Sequence, residues 1–119
     1  MYSERLLDHF RNPGNVGELA APAFTVEVTN PACGDVLRLS ARLEGEWIVE
    51  ARYKARGCTP TVAAGSALTG WLTGRSRGEA ALLAPADIEE LLGGLEPESK
   101  HAASLSVDAV RALLRAAFP

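Results

Sequence analysis

Between Leu37 and Ala55 the chain alternates apolar and polar residues with a period of two. Leu37, Leu39, Ala41 and Leu43 are set against Arg38, Ser40 and Arg42, and then Trp47, Val49, Ala51, Tyr53 and Ala55 against Glu50, Arg52 and Lys54. Only Glu44-Gly45-Glu46 separates the two runs, so they read as the arms of an antiparallel hairpin with one face turned to a core. A third alternating run, Phe24, Val26 and Val28 against Thr25, Glu27 and Thr29, supplies another strand. A sheet of about three strands cannot bury its own apolar face, so the rest of the chain has to cover it.

The remaining segments have helical periodicity. Ser3 to Arg11 reads as a short helix capped by Ser3, with Leu6, Leu7 and Phe10 at helical spacing, and Asn12-Pro13-Gly14-Asn15 ends it. Thr59-Pro60 opens an Ala-rich helix that Gly74 closes. Gly78–Leu83 and Pro85–Leu92 read as two short helices, Leu95–His101 as irregular chain, and a last helix runs from about Ser104 or Ser106 to Phe118. The expected fold is α+β, a two-layer sandwich with helices on one face of a small antiparallel sheet, and residues 1–119 form one domain.

Composition removes several function classes. With 12 Lys plus Arg against 15 Asp plus Glu and a net charge of −3, the chain has no basic footprint for a nucleic-acid backbone. No apolar run approaches the ~18 residues of a membrane span. The opening residues carry Glu4, Asp8 and Arg11 among their hydrophobes, unlike a secretory signal, so a cytoplasmic location is expected.

Chemistry is expected where both cysteines fall, in loops at the ends of strands. Cys33 lies in Pro31-Ala32-Cys33-Gly34-Asp35 before the second arm of the sheet, and Cys58 lies in Gly57-Cys58-Thr59-Pro60, where the third strand hands over to a helix. Antiparallel order brings these two loops to the same end of the hairpin. The helix start should lower the Cys58 thiol pKa. Neither cysteine has CxxC spacing, and a reducing compartment argues against a disulfide. His101, in the loop before the last helix, and Asp35 complete a set of two thiolates, an imidazole and a carboxylate that suits zinc, or iron with sulfide. The residues by themselves leave other placements open: cysteines as small buried hydrophobes, Asp35 as a turn brace, His101 as a solvated loop residue. His9 reads as a hydrogen-bonded histidine of the first helix, Trp47, Tyr53 and Trp71 as packing residues, and Arg52, Lys54 and Arg56 as a solvated strand face. A cysteine hydrolase would need an orienting partner for its histidine, and none is assigned, so an enzyme is not expected.

Three ordered motifs carry a resemblance over nearly the whole chain. Tyr2-Ser3-Glu4 with Asp8-His9-Phe10-Arg11-Asn12-Pro13-Gly14-Asn15-Val16-Gly17, then Pro31-Ala32-Cys33-Gly34-Asp35, then Gly57-Cys58 followed by Ala63-Ala64-Gly65-Ser66, resemble the iron–sulfur cluster assembly scaffold family of IscU, SufU and the NifU N-terminal domain. The resemblance implies a scaffold that binds zinc, iron or a transient [2Fe-2S] cluster through Cys33, Asp35, Cys58 and His101. It also implies a cysteine desulfurase and acceptor apo-proteins as partners, and a monomer or weak homo-oligomer. The family places a third cysteine after the histidine or lysine ahead of the last helix, and here that position falls on Ala102. Leu95-Glu96-Pro97-Glu98-Ser99 departs from the Leu-Pro-Pro-Val-Lys chaperone-recognition sequence of the IscU branch, and the extra segment of the SufU branch is missing. The alternative is a divergent zinc-binding or desulfurase-docking module that no longer assembles clusters.

Overall fold

A computed structural model describes residues 1–119, with a three-stranded antiparallel sheet in the order β1-β2-β3 and five α-helices. The elements are α1 (Glu4–Arg11), β1 (Phe24–Thr29), β2 (Val36–Glu44), β3 (Trp47–Arg56), α2 (Thr59–Leu72), α3 (Arg77–Ala81), α4 (Pro85–Leu91), a 3-10 turn at Pro97–Ser99 and α5 (His101–Ala117). Helix α2 packs on β3 and α5 on β1 and β2, so the helices form the second layer of the expected α+β sandwich. Leu37, Leu39, Ala41, Ala51 and Tyr53 bury one face of the sheet against Ala63, Leu68, Ala109, Val110 and Leu113. Arg38, Arg42 and Arg52 stand on the other face in ion pairs with Glu18, Glu27, Glu44 and Glu50. No helix is long and apolar enough to cross a membrane.

The alternation of β3 breaks once. Arg42 pairs with Glu50 and Leu43 with Ile48, so Val49 is an extra residue in a bulge. The bulge turns Ile48 into the core and leaves Trp47 54% exposed, correcting the expectation that Trp47 packs inside. Tyr53 does pack inside, and Trp71 is partly buried with the Arg75 guanidinium 4.5 Å from its ring centre.

Two features place the start of α2 at the end of β3. The Tyr53 ring lies so close to Gly65 that a Cβ there would come within 2.2 Å of it, so helix and strand approach more closely than any side chain at 65 would allow. The Tyr53 hydroxyl donates to the carbonyl of Val62 at 2.9 Å, and burial pushes its pKa up to about 12. The outer edge of β3 is also closed: Gly17 donates to the Tyr53 carbonyl, Tyr53 to Asn15, and Ile48 to Arg75, each within 2.9 Å.

Helix α1 begins where expected, with the Ser3 hydroxyl accepting from the Leu6 amide at 3.0 Å. It docks on α2 through Ser66, whose hydroxyl lies 2.8 Å from His9 Nδ1 and accepts from the Gly14 amide at 3.0 Å. The helix expected over Gly78–Leu83 runs from Arg77 to Ala81, and the boundary that moves furthest is the last. Helix α5 starts at His101, not near Ser104, so His101 opens the helix and Ala102 lies in its first turn.

Candidate metal centre

The sheet ladder ends with Val36 paired to Arg56, which leaves Asp35 and Gly57 side by side just beyond the last pair. The loop before Asp35 is tied by Asn30: its side-chain oxygen accepts from Ala32 at 2.9 Å, its carbonyl accepts from Gly34 and its amide donates to the Asp35 carbonyl, both at 2.8 Å. These bonds hold Cys33 at an exposed tip while Asp35 turns inward and is 5% exposed. Gly57 has φ +145°, and a Cβ there would meet Asp35 Oδ1 at 2.3 Å, so the carboxylate occupies the space a side chain would fill.

Cys58 is the N-cap residue of α2 and is half-buried. Its thiol donates to Asp35 Oδ2 at 3.0 Å, and its sulfur lies 3.3 Å from His101 Nε2. His101 Nε2 is in turn 3.3 Å from Asp35 Oδ2. The ligand atoms of Cys33, Asp35 and His101 all lie within 4.8 Å of one another. The structure thus brings Cys33, Asp35 and His101 together, and sets Cys58 against Asp35 and His101 without including it in that mutually close group. His101 Nδ1 faces the Glu98 carbonyl at 3.0 Å. A carbonyl only accepts, so Nδ1 carries a proton and donates to it, and Nε2 is the ring nitrogen that faces the thiol and the carboxylate.

Burial alone would raise the Asp35 pKa, but donors from the Cys58 thiol, the Thr61 hydroxyl, the Cys58 amide and His101 together outweigh it and hold the carboxyl at about 2. The same geometry corrects the expectation for Cys58. Its pKa is raised, first by burial and then by the Asp35 carboxylate that accepts its proton, and the helix start does not reverse this. A negative group 3.0 Å from the sulfur acts at closer range than the partial charge of the helix terminus. A bound cation would replace that proton, as thiolate ligation of zinc requires.

The donor types suit a tetrahedral divalent ion: two sulfurs, one imidazole nitrogen whose ring is oriented by the Glu98 carbonyl, and one ionised carboxylate, with Cys58 beside Asp35 and His101 but outside the set of three whose ligand atoms are all within 4.8 Å of one another. Ala102, the position where the resemblance implies a third cysteine, offers no donor and is fully buried in the core. Two nearby features escaped the sequence reading. Thr61, the third residue of α2, donates its hydroxyl to Asp35 Oδ2 at 2.6 Å. The Glu98 carbonyl orients the His101 ring. For Thr61 the available signal was its spacing three residues after Cys58, which puts both on one side of a helix start. For a backbone carbonyl in a segment read as irregular there was none. His9 sits apart, bonded to Ser66, as its placement on the first helix implied.

The family model described as NifU-like N terminal domain matches residues 1–117. The chain is 43% identical over 111 residues to the Bifunctional protein NifU/MnmA of Rubrobacter xylanophilus, covering 92% of this chain but only 23% of that longer protein. It is 39% identical over 118 residues to the iron-sulfur cluster assembly scaffold protein IscU of Azotobacter vinelandii, covering 96% of this chain and 91% of that one. Among solved structures, a protein described as a candidate iron-sulfur cluster assembly scaffold for the SUF system of Fervidobacterium islandicum superposes with a TM-score of 0.79 at 19% identity. That match covers 95% of this chain and 96% of the other, and shows the shared fold. On the matched length and the identity to its relatives, the chain belongs to the NifU-like N-terminal domain family.

Proposed function

We propose that this chain, acting as one unit over residues 1–119, is a scaffold of iron–sulfur cluster assembly. It takes up a metal ion or a nascent [2Fe-2S] cluster as cargo on Cys33, Asp35, Cys58 and His101 and passes it to acceptor apo-proteins, with a cysteine desulfurase as the source of sulfur. The observation that carries this reading is the convergence of two thiols, a carboxylate and an imidazole from three separate segments at one end of the sheet. The relatives named as cluster assembly scaffolds support the choice of cargo.

The graded exposure suits a carrier. Cys33 is exposed, Cys58 and His101 are partly so, and only Asp35 is buried. An acceptor's thiolates can therefore reach the cargo from the Cys33 side while Asp35 holds its position in the protein. With Ala102 in place of a third thiol, the cargo is held by harder donors, which favours zinc and leaves a cluster less firmly bound. Loading requires the Cys58 proton to leave, so occupancy should rise with pH.

Anaerobic reconstitution with iron, sulfide and a cysteine desulfurase tests the reading. Cluster absorbance in the visible is expected, lost in Cys33→Ser and Cys58→Ser. Folded wild-type protein that acquires no such absorbance rejects scaffolding, and stoichiometric zinc that resists displacement by iron would leave a zinc module in its place.

A further inference from the structure

We infer that Thr61 is a positioning residue of this centre, whose buried hydroxyl fixes which oxygen of Asp35 faces the cargo. The inference rests on the proposed ligand role of Cys33, Asp35, Cys58 and His101, and adds a residue that does not itself ligate.

Threonine hydroxyls inside a helix ordinarily bond back to a carbonyl one turn earlier. Thr69 and Thr73, on and just after the same helix, do so, donating to the carbonyls of Gly65 and Thr69 at 2.9 and 2.8 Å. Thr61 does not. Its side chain is 1% exposed, and its hydroxyl reaches across to Asp35 Oδ2 at 2.6 Å with the Cys58 sulfur at 3.4 Å.

The carboxylate is then clamped from two sides. Oδ1 is wedged against the Gly57 backbone, where no Cβ could fit. Oδ2 receives Thr61 and looks toward Cys58 Sγ and His101 Nε2. Every other partner of Oδ2 comes from Cys58 or His101, through the Cys58 amide at 3.4 Å, the thiol and the ring nitrogen. Once the thiol and the ring engage a metal ion they no longer hold Oδ2. The Thr61 hydroxyl is then the one short bond, joined by the long Cys58 amide contact, that keeps this oxygen aimed at the ion. Its single proton serves the carboxylate, so a hydroxyl is needed and an isosteric methyl is not equivalent.

The test is zinc affinity by competition with a chromophoric chelator, together with the visible absorption of the cobalt-loaded protein. Thr61→Val should weaken zinc binding by about 10–100-fold, the usual effect of losing an outer-shell partner. It should also alter the cobalt spectrum, which a purely structural role would leave alone, and Thr61→Ser should restore both. In an Asp35→Asn background the valine substitution should have no further effect on binding, because the threonine acts through that carboxylate. If Thr61→Val fails to fold, Thr61→Ala carries the same expectation. A hydroxyl-free variant that binds zinc and shows the cobalt spectrum like wild type overturns the inference alone. Wild-type protein that binds neither ion overturns the ligand reading beneath it.

Discussion

Both histidines reach helix α2 from a terminal helix, and they do different things there. His9, from α1, meets the middle of α2 at Ser66, whose hydroxyl is already accepting from the Gly14 amide. That junction closes on itself: the Ser66 hydroxyl and Nδ1 satisfy each other, and neither a thiol nor a carboxylate takes part. His101, from α5, meets the cap of α2, where a sulfur and a carboxylate oxygen both lie 3.3 Å from Nε2. The difference lies in the partners. A histidine whose bonds go to a hydroxyl between two helices is a joint, and one whose far nitrogen is fixed by a carbonyl and whose near nitrogen faces a thiol and a carboxylate is prepared for a cation.

The sharpest way to break this contrast is to remove each histidine in turn. His101→Ala, like Cys58→Ser, should lose zinc affinity by more than the roughly 10–100-fold of an outer-shell change, whereas His9→Ala should bind zinc like wild type in chelator competition. Equal losses from both histidines would erase the distinction.

The glycines beside the two junctions extend it. Gly65→Ala drives a methyl into the Tyr53 ring and should cost stability on the order of 1–3 kcal/mol or more in urea unfolding, with metal affinity kept in the folded fraction. Gly57→Ala drives a methyl into the Asp35 carboxylate at a positive φ, so it should lower stability and metal affinity together.

Stability of the metal-free protein should fall at both ends of the pH scale because of the His101 junction. The Asp35 pKa drops on folding from its usual 3.8 to about 2. Its contribution is therefore complete above about pH 4 and is lost as pH falls toward 2, and Asp35→Asn should flatten that part of the curve. The Cys58 pKa is raised on folding, so its contribution is complete below the ordinary thiol range and is lost as pH rises past it. Chemical denaturation across pH checks both slopes, and Cys58→Ser should remove the alkaline one. The smallest effect belongs to the other junction: His9→Ala should cost about 0.5–1.5 kcal/mol for its hydrogen bond, with no change in either slope.

Much of the architecture was legible because it follows from local periodicity. The hairpin, the strand before it, the Ser3 cap and the α2 start all depend on neighbours within a few residues. The bulge at Val49 was not legible, since both phases of the alternation around Trp47-Ile48-Val49 put an apolar residue inward, and only pairing with Arg42 and Leu43 decides between them. The start of α5 was obscured by Pro97 and by the lack of a capping side chain at Lys100. The direction of the Cys58 shift was misjudged because the helix terminus is a local feature, and the carboxylate that overrides it comes from 23 residues earlier.

The order of the residues alone determined most of the elements and which segments carry sulfur, carboxylate and imidazole, because strand alternation, helix caps and turns are short-range properties of the chain. Only the folded arrangement decided that Asp35 sits in the space left by Gly57, that Thr61 turns to it, and that the Cys58 proton is held tightly. Those outcomes depend on distances between segments far apart in sequence, and at separations near 3 Å a single oxygen changes the chemistry of its neighbours.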